Sequence, residues 1–184
     1  HSRFKELPEM VETTELNAMV IDVKNDNGNV TYNMEHKLVN EFKANIRYIR
    51  GIQSFLANLH SKNIYVIGRV VAFRDPLLAK KNPDWCVHRK DGSIYYDRAG
   101  LAWVNPYNRD VWKYLVSIGK RAAADGFDEI QFDYIRFSTE VKDSEVNYGY
   151  GSDTMSKQQV ITEFVKYSPE EFGKCGIAFS ADVF

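Results

Sequence analysis

Most of the features that announce a function are scarce or missing in this sequence. Only two of its 184 residues are cysteine, Cys86 and Cys175. They match no metal-binding spacing such as CxxC and read as two unpaired, packing thiols. Charge of one sign is lacking as well: 24 Lys and Arg against 25 Asp and Glu leave a net charge of −1. That balance offers no electrostatic footprint for a nucleic-acid backbone or an anionic membrane, so no nucleic-acid partner is expected. No run approaches the ~20 apolar residues of a membrane span. No charged stretch leads into an apolar one at the opening His1-Ser2, which reads as an artificial or a processed start. A glycine-rich phosphate cradle, a GxSxG elbow and an HExxH helix are all missing, and so are internal repeats and low-complexity tracts. Neither a cofactor nor a metal is expected, and the lack of a recognisable serine or metal site counts against a lyase or esterase that would use the chain's carboxylates.

What is present is an ordinary globular composition, 44% hydrophobic and 27% charged, long enough for a single domain over residues 1–184 with a real core. Four apolar, β-branched-rich runs recur: Asn17–Lys24, Ile64–Phe73, Phe127–Phe137 and Ile177–Phe184. Loops and helical patterns separate them, which is the signature of βα units on a parallel sheet and predicts an α/β fold. Ile52, Phe55, Leu56 and Leu59 predict a helix over about Arg50 to Ser61. Asn108 can cap a second helix, with Val111, Trp112, Leu115, Val116 and Ala122 on one face and a stop at Asp125-Gly126. A third starts near Ser156 and carries Val160, Ile161, Phe164 and Val165; Pro169 should interrupt it, with a short helix restarting from the capping box Ser168-Pro169-Glu170-Glu171. Two loops, Arg74–Gly100 and Ser138–Thr154, are unusually long and follow the C-terminal ends of strands, where such sheets build active sites. The second, with Tyr148, Gly149, Tyr150, Gly151 and Ser152, looks mobile.

Side chains alternate along a strand, and this sorts the polar residues. Asp22 and Lys24 share a face with Ala18 and Val20; Arg69 shares one with Ile67, Val71 and Phe73. Gln131 and Asp133 lie opposite Ile130, Phe132 and Tyr134, and Ser180 and Asp182 lie opposite Phe179, Ala181 and Val183. Every strand thus places a polar group on the presumed inner face. Buried charge is costly unless paired, so the arrangement is either an ion-pair plug, Asp22–Lys24–Arg69–Asp133, or a cleft with carboxylates on neighbouring strands. The cleft suits glycosidic bond cleavage, in which one carboxyl protonates the leaving oxygen and another attacks the anomeric carbon or activates water. Strands lie ~4.8 Å apart, which lets Asp133 and Asp182 approach the ~5–5.5 Å separation of retaining enzymes. Either could take either role. Arg69, Lys24 and Arg136 are the cations available to keep one carboxylate ionised.

The blocks LNAMVIDVKNDNGNVTY, IYVIGRVVAFRDPLLAKKNPDW, GLAWVNPYNRDVWKYL, GFDEIQFDYIRF and SADVF, in this order, resemble a bacterial glycoside hydrolase family, of the domain-of-unknown-function type, with a (β/α)8-barrel catalytic domain. The resemblance covers nearly the whole chain. It implies that the four runs are about strands 2–5 of a TIM (β/α)8 barrel acting on the O-glycosidic bonds of a polysaccharide or cell-envelope glycan, in an extracellular or envelope location. The family domain would begin with a strand before the helix that here occupies about Pro8 to Thr14, and would continue past Phe184 with three more βα units. The chain then holds about half a barrel, whose catalytic pair is split if one partner lies on a later strand, and its open edges predict self-association.

On this reading Asp133 and Asp182 are the catalytic candidates, and Asp22, Lys24, Arg69, Gln131, Arg136 and Trp85 line the substrate site. Trp85, Trp103, Tyr95, Tyr96 and Tyr107 cluster around the first long loop, where an aromatic ring either stacks on a sugar or packs in the core. His88 reads as a surface loop residue that could assist acid–base work. Around Gly28 the oxygen-rich Asp22–Asn29 stretch resembles a calcium loop only superficially, because Val23 and Met34 fall where acidic ligands are needed; Asn27-Gly28 reads as a turn. The competing function is a carbohydrate-binding or scaffold barrel that has kept the cleft without turnover.

Overall fold

The computed structural model describes residues 3–149 and 151–182. In chain order its elements are α1 (Arg3–Glu12), β1 (Ala18–Lys24), β2 (Val30–Tyr32), α2 (Lys37–Glu41), β3 (Asn45–Ile49), α3 (Ile52–His60), β4 (Tyr65–Val71), α4 (Pro76–Lys81), β5 (His88–Arg89), α5 (Arg109–Asp125), β6 (Glu129–Asp133), β7 (Val146–Asn147), α6 (Lys157–Gly173) and β8 (Ala178–Ala181). The four β-branched runs supply β1, β4, β6 and β8, which pair in parallel in that order. The fold is α/β, with the arrangement of part of a TIM barrel. Val183 and Phe184 of the fourth run, and Tyr150 of the second loop, lie outside the described residues.

Beyond β1 the sheet is mixed, which the sequence reading did not anticipate. The six strands run β3-β2-β1-β4-β6-β8, with β2 antiparallel to β1 and β3 parallel to β2. A tight turn at Asn27-Gly28 reverses the chain, and Gly28 has φ +80°. A Cβ there would lie 2.0 Å from Asp75 Oδ1, so only glycine lets the turn close on the start of α4.

One face of the sheet carries the core. Val23, Val66, Val70, Ile130 and Phe132 are fully buried on the helix side. There α3 and α5 pack on β4, α5 also on β6, and α6 on β8 and α5. Helix α5 forms as expected, with the Asn108 side chain accepting from the Asp110 N–H and Gly126 ending it at φ 118°. Gly119 lets α6 approach closely, since a Cβ there would meet the Phe172 ring at 2.6 Å. The opposite, concave face is uncovered: Val20, on the same side as Asp22, is 53% exposed.

Two local expectations are corrected. Helix α6 runs unbroken through Pro169 instead of stopping and restarting. A mid-helix proline costs ~3 kcal/mol, but Phe164 and Phe172 lie on either side of it, both fully buried against Phe132, and each contributes about 1.5–3 kcal/mol by burial. Helix α1 begins at Arg3 and carries Pro8 within it, not at its start. The two long loops are also tied together: β5 and β7 form a two-stranded antiparallel ribbon pairing His88 with Asn147 and Arg89 with Val146. Where the second loop enters this ribbon, Val146 and Tyr148 are buried and the Asn105 amide donates to the Tyr148 carbonyl at 2.7 Å.

Candidate active site

The parallel register assembles the concave face in rows. Asp22, Arg69, Gln131 and Ser180 are consecutive partners across β1, β4, β6 and β8. One step toward the C-terminal ends, Asp133 stands beside Val71, and the Asp182 N–H donates to the Phe132 carbonyl at 2.8 Å. Asp133 and Asp182 therefore come from adjacent strand ends.

Arg69 organises this face. Its Nη1 donates to Asp22 Oδ1 at 2.8 Å; its Nε and Nη2 donate to Asp133 Oδ2 at 2.9 and 2.6 Å; and Nη2 approaches Asp26 Oδ1 at 3.4 Å. Burial works against the guanidinium charge, but hydrogen bonds to Asp22 and Asp133 overcome it and raise the Arg69 pKa, so it stays cationic. The other oxygen of Asp133, Oδ1, accepts from the Tyr134 N–H at 2.6 Å. Asp133 is thus held at both oxygens, with a side chain 13% exposed. Asp182 is exposed, and its carboxylate has no partner among the described residues.

Lys24 does not join this network. A register shift between Asp22 and Lys24 pairs Lys24 with Val70, so the alternation that would have put it beside Asp22 breaks at Val23. Its ammonium is fully buried, 2.9 Å from Asp75 Oδ2 and donating to the Val71 carbonyl at 2.7 Å. The expected ion-pair plug is therefore Asp22–Arg69–Asp133 with Asp26, without Lys24. Trp85 also lies elsewhere, partly buried against Phe42 and Tyr114 with ring centroids 6.2 and 6.5 Å away. Gln131 stays on the face, half-buried between Arg69 and Ser180.

Where β6 ends, the chain leaves its alternation. Tyr134 has φ +55°, which directs its side chain to the strand-end loops instead of the helix layer assigned to it by periodicity. Its ring lies 6.0 Å from Trp103, with the Arg74 and Arg136 guanidiniums 5.3 and 5.2 Å from its centre. Arg136 also stacks on Trp103 at 5.1 Å and donates to the Phe137 carbonyl. Arg74 donates to the Tyr134 hydroxyl at 3.1 Å and to Asp97 Oδ2 at 3.0 Å. Burial opposes the Asp97 charge, yet hydrogen bonds from the Leu101 N–H, the Trp103 indole and Arg74 outweigh it and hold the carboxyl pKa below its usual value.

Sequence reasoning missed three contributors. Asp26 was absorbed into a turn. Glu129 shares the face of Gln131 and Asp133 by simple alternation; it accepts from the Ser180 and Tyr65 hydroxyls. Tyr134 was placed on the wrong side, and no local signal marks its conformation. Among the described residues no group of His, Cys, Asp or Glu is arranged to hold a metal. The larger hollows are lined by residues other than Asp133: one of about 680 Å³ is bordered by Glu35, Arg47, Gln53, Arg121 and Asp125, and two of about 600 and 610 Å³ flank the β5–β7 ribbon and share Lys90, Tyr107, Asn147 and Tyr148, with His88 lining the first.

A family model described as "Putative glycosyl hydrolase domain" matches residues 1–184. The crystal structure of a hypothetical protein from Ruminiclostridium thermocellum superposes with a TM-score of 0.90 at 38% identity, over 100% of this chain and 92% of that one. An α-galactosidase from Thermus thermophilus in complex with stachyose gives 0.66 at 14% identity, over 98% of this chain and 36% of that one. An α-L-fucosidase isoenzyme 2 from Paenibacillus thiaminolyticus gives 0.64 at 13%, over 98% and 29%. The two glycosidases share the fold, and the chain spans about a third of their length. No curated protein matches the sequence.

Proposed function

The chain belongs to this glycosyl hydrolase domain family, and from that premise we propose that it is the substrate-facing part of a (β/α)8 barrel, about strands 2–5, that cleaves O-glycosidic bonds of a polysaccharide or cell-envelope glycan. Asp133 and Asp182 are the two carboxylates in this reading. The observation that carries it is their placement: adjacent ends of parallel strands on an open face, one carboxyl held in position and the other free of partners among the described residues. Active sites of this architecture sit at that end. Asp133, oriented by Arg69 and the Tyr134 N–H, is suited to attack on the anomeric carbon or on its water, and exposed Asp182 to proton delivery to the leaving oxygen. Asp22, Arg69, Gln131 and Arg136 border the substrate.

The test is release of reducing ends from envelope glycans and neutral polysaccharides, followed by chromatography, with wild type and with Asp133→Asn and Asp182→Asn. Loss of 10²-fold or more in rate with retained glycan binding is expected for each. Unchanged turnover in both variants would sink the assignment.

A second reading, a barrel that binds glycan without turnover, draws support from the engagement of both Asp133 oxygens. It predicts glycan binding with no reducing ends released from any substrate. Location outside the cytoplasm, and self-association, belong to the same proposal; fractionation and sedimentation velocity test them.

A further inference from the structure

Tyr134 combines features that no packing role requires. It is a non-glycine residue at φ +55°, a conformation disfavoured for L side chains, and it directly follows Asp133. Its amide donates to Asp133 Oδ1 at 2.6 Å, while Arg69 takes Oδ2. Its ring is gripped from two segments: Arg74 and Trp103, both between β4 and α5, donate to the hydroxyl and flank the ring respectively, and Arg136, just after β6, flanks it as well. That grip is itself anchored at Asp97, which binds Arg74, the Trp103 indole and the Ala99 and Leu101 amides. Asp97 is 2% exposed at its side chain, so the anchor is part of the folded body.

We propose that Tyr134 is a positioning residue for the Asp133 carboxylate, held in a strained left-handed conformation by the Asp97–Arg74 clamp so that its amide locks one carboxylate oxygen while Arg69 holds the other. The inference rests on the reading of Asp133 as a reacting carboxylate. It adds that the loop after β4 sets the direction of that carboxylate through a single strained peptide. The strain follows from the clamp: without the ring, an L residue at 134 relaxes away from positive φ, turns its peptide plane, and takes the N–H off Oδ1. Glycine has no Cβ clash and can remain in place.

The test compares Tyr134→Ala, Tyr134→Gly and Arg74→Met with wild type, reading the 134 amide proton and the Asp133 side-chain carboxyl by NMR, neither of which depends on finding a substrate. In wild type the amide is shifted strongly downfield and the carboxyl gives one signal. In Tyr134→Ala the left-handed conformer is expected to be about 5- to 30-fold less populated than in Tyr134→Gly. The downfield shift is then lost in the alanine variant and partly kept in the glycine variant, although both lack the ring. Arg74→Met, which keeps the ring and breaks the clamp, weakens the shift as well. A residue that only packs would make alanine and glycine alike, or glycine worse; either result, or an unchanged amide in Arg74→Met, overturns the proposal. Once a substrate is in hand, kcat falls with KM nearly unchanged in the order alanine below glycine. Absence of any glycosidase activity would refute the catalytic reading while leaving the NMR order to decide the clamp.

Discussion

A single guanidinium holds three carboxylates on the concave face, and its shape matters as much as its charge. Arg69 uses Nη1 for Asp22 and Nε with Nη2 for Asp133, a division that an ammonium cannot reproduce. Arg69→Lys should therefore lose about 1–3 kcal/mol of stability, because at least one half-buried carboxylate is left without its donor; a urea midpoint within error of wild type would show that the charge alone suffices. Lys24 makes the complementary case in the interior. With both partners of the Lys24–Asp75 pair essentially inaccessible, Lys24→Met should cost about 3–5 kcal/mol by stranding Asp75. Equilibrium denaturation measures this directly, and a loss under about 1 kcal/mol would mean that Asp75 is neutralised some other way.

At the scale of elements, α6 shows how tertiary burial overrides a local rule. Pro169 removes the N–H that would bond the Val165 carbonyl, yet Phe164 and Phe172 hold the turns on both sides of it. The Ser168 hydroxyl adds a bond to the Phe164 carbonyl at 2.8 Å. Pro169→Ala should restore part of the ~3 kcal/mol cost, less ~0.4–1 kcal/mol for a freer unfolded chain, giving a gain near 2 kcal/mol. A variant no more stable than wild type in a thermal melt would mean that the helix is bent at this point in a way alanine does not repair. The β5–β7 ribbon is a second case. Two residues on each of two loops are too short to register as strands, yet paired they bring the loops after β4 and β6 together.

For the whole molecule, acid sensitivity is expected to start well above the carboxylate range. His36 caps α2: its Nδ1 accepts from the Val39 N–H at 3.3 Å, and its Nε2 lies 2.9 Å from Ser117 Oγ on α5. Burial, and then the charge of Arg121, lowers its pKa. On acidification the unfolded chain takes this proton first, so the stabilisation is intact above about pH 6.5 and declines as pH falls from there toward the folded value. His36→Asn keeps a capping acceptor and removes the titration. Between pH 7 and 5 the urea midpoint should fall less in this variant than in wild type, and parallel curves would exclude His36 as the source.

Sequence by itself determined the parts whose signals are local. Alternation and β-branching placed β1, β4, β6 and β8 and set Arg69, Asp133 and Asp182 at their C-terminal halves, while Asn108 and Gly126 delimited α5. What only the tertiary structure decided depends on partners distant in the chain. The register shift that turns Lys24 away from Asp22 exists only once β1 lies against β4. Strands β2 and β3 are short, and their pairing at the sheet edge, not their propensity, makes them strands. The left-handed Tyr134 is held by Arg74 and Trp103 from another loop, and the division of Arg69 among Asp22, Asp26 and Asp133 needs three segments folded onto one face. Periodicity tells which side of its own strand a residue takes; what that side meets is decided by packing.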